Sequence, residues 1–113
     1  MTDLVLFHYT DRVHFNAIRA NSPWVFKARH QYRSGNPRGA YFTNLPPSAK
    51  NLGRKLRVGP DKREFYFSFA EEGDLRVLSN DRGKDAQNIF YSPQDYYVED
   101  DRQRHHGETV LWK

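Results

Sequence analysis

Residues 64–70 read EFYFSFA and form the most strand-like stretch of the sequence. Phenylalanine occupies every second position, so Phe65, Phe67 and Phe69 share one face of an extended chain. Aromatic residues favour strands, and the turn-forming segments GPDKR and EEGD bound the stretch on either side. The pattern predicts a buried strand that supplies one face of the core.

Outward from this strand, short apolar stretches alternate with turns. Further strands are predicted at residues 4–9, 24–28, 39–43, 75–78, 88–91, 96–98 and 109–112. Residues 29–38 are a basic loop rich in turn-forming residues. The connections are too short for repeated parallel βαβ units, so the fold class is α+β with mostly antiparallel pairing.

Two short helices complete the predicted elements. The first spans residues 12–20, with Thr10 and Asp11 offering N-cap side chains. Its inward-facing residues are predicted to be Val13, Ala17 and Ile18. The second spans residues 48–56 and is broken near Gly53.

The composition limits the function classes. The 113 residues are expected to form a single domain, 1–113, and 15% aromatic residues argue against disorder. The absence of cysteine excludes disulfides, zinc–thiolate sites and a thiol nucleophile. The formal net charge of +4 favours an anionic partner.

The N-terminal segment MTDLVLFHYT lacks the positive and small-residue regions of a secretory signal. No run approaches the roughly 18 apolar residues of a membrane span. The expected location is therefore the cytoplasm, or a destination reached through a specialised secretion route, with no membrane partner.

Three features could carry chemistry. His8 ends an apolar strand, Tyr41 lies in the glycine-led strand GAYFT, and an acidic residue, Asp95 or Glu108, precedes a late strand. Each also has an ordinary structural explanation: a partly buried histidine, a core aromatic and a solvated carboxylate. The histidines show no metal-ligand spacing, so no metal site is expected.

The order of these features resembles a known family. HYTD at 8–11, an F-x-x-I pattern in the first helix and GAYFTNLPP at 39–47 are similar to ADP-ribosyltransferases of the His-Tyr-Asp class. That class includes small toxin and effector domains and is distantly related to the poly(ADP-ribose) polymerase catalytic domain. The resemblance implies a split β-sandwich of two mostly antiparallel sheets with short helices.

The resemblance also implies roles for five residues in binding NAD. His8 would hydrogen-bond the adenosine ribose, and Thr10 would reach a ribose hydroxyl. The backbone of Tyr9 and the side chain of Ser48 would contact the nicotinamide carboxamide. Tyr41 would stack on the nicotinamide ring, because a cationic heterocycle favours an electron-rich ring face.

The catalytic acid is assigned from the same resemblance. Asp95, in PQDYYV, is favoured, and Glu108, in GETVLW, is the alternative. The carboxylate would hold a ribose hydroxyl and offset the positive charge that develops on the ribose. In GAYFT, Phe42 is assigned to the core, and Gly39 is expected to let the strand approach a ligand closely.

The implied activity is transfer of ADP-ribose from NAD to a macromolecular acceptor, protein or nucleic acid, with release of nicotinamide. NAD hydrolysis could accompany it, no metal is required, and a cognate immunity or antitoxin protein is a candidate partner. The alternative is a small basic RNA-directed protein, either a metal-free endoribonuclease toxin or an RNA-binding module, using His8, Glu108 and arginines. Cations at 50–63 form either a solvated surface or a contact to diphosphate or nucleic acid.

Overall fold

A computed structural model of the protein describes residues 4–28, 30–31, 38–50, 52–53, 59–72, 74–77 and 89–111. In chain order the strands and the α-helix are β1 (Val5–Thr10), α1 (Arg12–Arg19), β2 (Trp24–Phe26), β3 (His30–Gln31), β4 (Arg38–Thr43), β5 (Phe65–Ala70), β6 (Arg76–Val77), β7 (Ile89–Ser92), β8 (Tyr96–Val98) and β9 (Gln103–Glu108). Short 3-10 helices span Pro60–Arg63, Asp100–Arg102 and Thr109–Leu111.

The strands form two antiparallel sheets. The larger sheet has the order β6-β7-β4-β1-β5-β9, with β3 pairing β4 outside this path, and the smaller sheet pairs β2 with β8. Every strand pairing in the described residues is antiparallel. The α+β class with two antiparallel sheets and few short helices, which is compatible with a small split sandwich, is confirmed.

The core lies between the larger sheet on one side and the smaller sheet and α1 on the other. As predicted, Phe65, Phe67 and Phe69 all face it, and the latter two are fully buried. Opposite them, the indole of Trp24 lies 4.8 Å from the Phe67 ring and Phe26 lies 5.6 Å from it. Each such side chain contributes about 1.5–3 kcal/mol on burial, so aromatic packing holds the two layers together.

Helix α1 begins at the predicted cap, but its buried face differs from the prediction. Asp11 Oδ1 accepts a hydrogen bond from the backbone N–H of His14 at 3.0 Å. The buried residues are Phe15 and Ile18, whereas Val13 is 75% exposed. Residues three apart share a helical face, and Val13 points away from that face. The inward assignments of Val13 and of the exposed Ala17 are therefore wrong.

The C-terminal strand was placed wrongly by the apolar pattern. Thr109–Leu111 is a 3-10 helix, and the strand precedes it as β9, whose sequence is QRHHGE. β9 lies at the end of the larger sheet and most of its side chains face solvent. An edge strand of this kind has no apolar alternation for sequence reasoning to detect.

Two other predicted segments are only partly covered. Of the helix predicted at 48–56, residues 51 and 54–56 lie outside the described residues. In the basic loop predicted at 29–38, residues 30–31 form β3, which pairs with Arg38 and Gly39 of β4. Among the described residues, no helix has the length and apolar character needed to cross a membrane.

Gly39 has a packing role in β4. A Cβ at this position would clash with the backbone carbonyl oxygen of Ser92 in β7. Glycine is therefore required because β4 approaches β7 closely. The expectation that Gly39 makes room for a ligand is wrong.

Candidate functional site

The site lies where the larger sheet opens between two of its strands. β1 is in register with β5 over all six of its residues, but it is in register with β4 only at Phe7 and Thr43. Beyond that pair a cavity of about 430 Å³ opens, lined by residues 8–10 of β1 and 40–42 of β4. Its volume falls within the range of small-molecule binding sites.

His8 is held in a defined orientation at this opening. Its Nδ1 lies 2.9 Å from the carbonyl oxygen of Tyr41. A carbonyl oxygen can only accept, so Nδ1 carries the proton and Nε2 is the lone-pair nitrogen of the neutral ring. The imidazole packs against Phe26 and Phe42, at centroid distances of 4.8 and 5.7 Å. The backbone of β4 thus fixes both the tautomer and the direction of the ring.

The two aromatic residues of GAYFT occupy opposite faces of β4. Phe42 is 2% exposed and belongs to the main core, as predicted. Tyr41 lines the cavity, and its ring stacks on Tyr91 with centroids 5.5 Å apart and planes 21° apart. Tyr41 is also only 9% exposed and belongs to a second apolar cluster with Ile89. Tyr41 is therefore both a residue of the cavity wall and a packed aromatic.

Tyr9 and Thr10 also line the cavity. The Tyr9 hydroxyl donates to the carbonyl oxygen of Leu45 at 2.7 Å, which ties β1 to the segment after β4. Burial, and to a lesser degree the nearby Tyr66, raises the pKa of Tyr9 far above its usual value, so this phenol stays protonated. Thr10 is 6% exposed, so it belongs to the interior part of the cavity wall.

Ser48 is not brought into the cavity. It is exposed and lies in a turn in which the Ala49 N–H donates to the Pro46 carbonyl oxygen at 2.9 Å. It does not appear among the described residues of the cavity wall.

Asp95 does not line the cavity itself, but it forms an ion pair with a residue that does. Its Oδ1 accepts a hydrogen bond from the Ala28 N–H at 2.8 Å, and its Oδ2 lies 3.4 Å from Lys27 Nζ. Lys27 lines the cavity, whereas Asp95 lines a neighbouring, more polar cavity together with Tyr97. The pairing of β2 with β8 produces this arrangement, because it places residues 27–28 beside residue 95.

Glu108, the alternative acid, lies elsewhere in the fold. It is exposed, ends β9 and is in register with Phe65 of β5. The described wall of the cavity does not include it. Of the two candidate acids, Asp95 is therefore the one connected to the cavity.

The nitrogen-bearing side chains of the cavity wall were only partly expected from the sequence. Lys27, Lys62 and His14 line the cavity, and the described wall contains no aspartate or glutamate. Only Lys62 stood out beforehand, as part of a basic stretch. The sequence did carry a signal for His14. It lies three positions after the N-cap residue Asp11, and an N-cap carboxylate lies close to the side chain three positions later.

A search of the described residues for three or more metal-ligating side chains finds no such group. Comparisons of this chain with protein-family models, with curated proteins and with solved structures found no match.

Proposed function

We propose that the protein is an NAD-dependent ADP-ribosyltransferase that acts as a toxin or effector. The observation that carries this proposal is the opening between β1 and β4, where Tyr41 O orients the His8 ring and Tyr41 lines the same cavity. HYT and GAYFT, the two motifs that resemble the family, are separated by 28 residues in sequence, and residues 8–10 and 40–43 of these motifs line one site.

The reaction requires little covalent chemistry from the protein. The bond between the nicotinamide nitrogen and the ribose breaks, and its electron pair leaves with nicotinamide, which becomes neutral. The ribose acquires oxocarbenium character, and an acceptor nucleophile forms the new bond and loses its proton. Catalysis then depends on positioning and on a carboxylate near the developing positive charge.

The chain supplies groups suited to these tasks. His8 Nε2 can accept a hydrogen bond from a ribose hydroxyl, because Nδ1 is already the donor to β4. The Tyr41 ring offers a face for the nicotinamide. Asp95 is the proposed acid, since its partner Lys27 lines the cavity, and the backbone of Tyr9 is the proposed contact to the carboxamide. The acceptor is proposed to be a protein or a nucleic acid, and a cognate immunity protein is proposed to block the site.

The proposal is tested by incubating the protein with NAD labelled in the adenylate portion, together with host-cell extract. Nicotinamide release and label transfer to macromolecules are followed for the parent, Asp95→Ala and Glu108→Ala. The parent and Glu108→Ala should release nicotinamide, whereas Asp95→Ala should lose the reaction. Absence of both release and transfer in the parent would reject the proposal.

The RNA-directed alternative is favoured by one observation, the cationic and acid-free character of the described cavity wall. Its endoribonuclease form would use His8 and Glu108 for acid–base chemistry, but Glu108 lies on β9 and outside that wall. This alternative predicts salt-sensitive RNA binding or cleavage and indifference to NAD.

A further inference from the structure

A cluster of three polar side chains lies at one side of the cavity, between α1 and the 3-10 helix Pro60–Arg63. Lys62 Nζ lies 2.6 Å from Asp11 Oδ2, and His14 Nδ1 lies 2.7 Å from Asp11 Oδ1. Lys62 and His14 line the cavity, whereas Asp11 is not part of its described wall. One carboxylate therefore anchors two nitrogen-bearing side chains that face the same space.

The exposures of the three side chains differ in a way that matters for binding. The Asp11 side chain is 22% exposed, whereas Lys62 is 54% and His14 is 66% exposed. The Lys62 ammonium has three donors, and the contact with Asp11 uses one of them. The carboxylate is thus the most covered group of the cluster, and Lys62 is an exposed cation on the cavity wall.

Asp11 has the properties of a permanent anchor. Its hydrogen bond with Lys62, followed by that from the His14 N–H, holds the pKa of Asp11 well below its usual range. The same contact raises the pKa of Lys62. Both groups are therefore ionised throughout the neutral range, so the position of the Lys62 cation does not depend on pH there.

We infer that Lys62, positioned by Asp11 and flanked by His14, binds the diphosphate group of NAD. This inference rests on the proposed function and adds the subsite for the anionic part of the substrate. The opening between β1 and β4 provides aromatic walls for the nicotinamide end, whereas Lys62 supplies a cation on the wall formed by α1 and the 3-10 helix. A lysine ammonium is a suitable ligand for phosphate oxygens. The ordinary alternative is a surface ion pair that supports the helix cap and binds nothing.

Calorimetric titration of three ligands separates these alternatives. NAD and ADP-ribose contain the diphosphate, and nicotinamide does not. Lys62→Ala should weaken binding of NAD and ADP-ribose about tenfold or more, the effect of losing one charged hydrogen bond, and leave nicotinamide binding unchanged. Lys50→Ala is the matched control, because Lys50 is exposed, lies outside the described cavity wall and carries the same charge.

Several results would overturn the inference. Unchanged ADP-ribose binding in folded Lys62→Ala would do so, and so would equal weakening by Lys50→Ala, which would indicate a general effect of net charge. If the parent itself binds neither NAD nor ADP-ribose, the proposed function fails together with the inference. If the parent binds NAD and Lys62→Ala binds it equally well, only the inference fails.

A measurement on the parent protein alone covers the case in which Lys62→Ala does not fold. Raising the salt concentration should weaken ADP-ribose binding and leave nicotinamide binding unchanged, because salt screens exposed charges but not ring stacking. Binding of ADP-ribose that is insensitive to salt would contradict a subsite based on an exposed lysine.

Discussion

The His8 imidazole and the Tyr41 carbonyl oxygen, 2.9 Å apart, join β1 to β4 just beyond the last residues that the two strands hold in register. The backbone of Tyr41, one predicted site residue, thereby orients the side chain of His8, another. The two residues are 33 positions apart in the sequence, which alone offers no sign of this contact. It makes His8 a structural residue and a candidate ligand residue at the same time, and substitution can separate the two roles.

Replacing His8 by asparagine should separate stability from binding. An asparagine amide can donate to the Tyr41 carbonyl as Nδ1 does, but it has no group at the position of Nε2. We expect His8→Asn to retain most of the stability and to lose at least about tenfold in NAD affinity. His8→Ala should lose the same NAD affinity and, in addition, about 1 kcal/mol of the free energy of unfolding. Thermal unfolding and calorimetric titration measure the two quantities. Parental NAD affinity in both variants would show that the imidazole contacts only the protein.

Tyr41 should contribute to NAD binding through its ring and not through its hydroxyl. Tyr41→Phe is expected to bind NAD like the parent, whereas Tyr41→Ala should lose binding, because a stacking face is removed. Tyr91→Ala is the control, since it removes the ring that stacks on Tyr41 but that does not line the cavity. Full NAD binding by folded Tyr41→Ala would leave this tyrosine with its packing role alone.

The Asp11 carboxylate should make folding stability depend on pH in the acidic range. Its pKa is lowered in the folded state, so its contribution is fully present above the ordinary aspartate pKa of 3.8 and is lost progressively as the pH falls below that value. Asp11→Asn retains an N-cap oxygen but removes the charge. We expect it to be less stable than the parent at pH 7, with a difference that shrinks steadily as the pH falls from 4 to 2. A stability difference that stays constant across this range in urea titrations would contradict the assignment.

Tyr96 should carry a buried hydrogen-bond network that supports the smaller sheet. Its hydroxyl accepts from Arg102 Nη2 at 2.6 Å and donates to Asp74 at 2.8 Å, and burial raises its pKa to about 12. Tyr96→Phe should cost about 1–3 kcal/mol, because the buried Arg102 loses an acceptor.

Alkaline pH provides a second measurement on Tyr96. Tyrosine in the unfolded chain ionises near its ordinary pKa of 10.0, so the parent should lose stability as the pH rises from 10 to 12. Tyr96→Phe should lose less over the same range. Identical alkaline profiles for the two proteins would exclude a raised pKa at this residue.

Gly39→Ala should destabilise the larger sheet by about 1–3 kcal/mol, because the added methyl group would overlap the Ser92 carbonyl oxygen of β7. Gly59→Ala is a useful control, since the nearest atom there is the terminal oxygen of the Asp61 side chain, which can move. Thermal unfolding of both variants compares the two costs. Equal destabilisation would mean that the approach of β4 to β7 is not the reason for glycine.

The parts of the fold that sequence reasoning predicted are those governed by local pattern. Alternation identified the buried face of β5 and the core position of Phe42, and the cap residue identified the start of α1. The strand β9 was not predicted, because its residues are polar and its pairing with β5 depends on residues about 40 positions away in sequence.

The candidate site could be predicted only in part, because some of its contacts join residues that are far apart in sequence. His8, Tyr9, Thr10 and Tyr41 were found through two short motifs, and the structure brings all four to one cavity. The contact of Asp95 with Lys27 and Ala28 depends on the pairing of β2 with β8, which no local pattern encodes. Ser48 was placed by alignment to a motif, and its turn leaves it outside the described cavity wall.

Binding of NAD between β1 and β4 is tested most directly by nuclear magnetic resonance of the isotopically labelled protein. Titration with NAD should shift the backbone amide signals of residues 8–10 and 40–43 most strongly, with a further group at residues 14 and 62. Titration with nicotinamide should affect the first group and not the second. The absence of shifts at millimolar NAD, or shifts confined to β9 and the outer surface, would contradict the account.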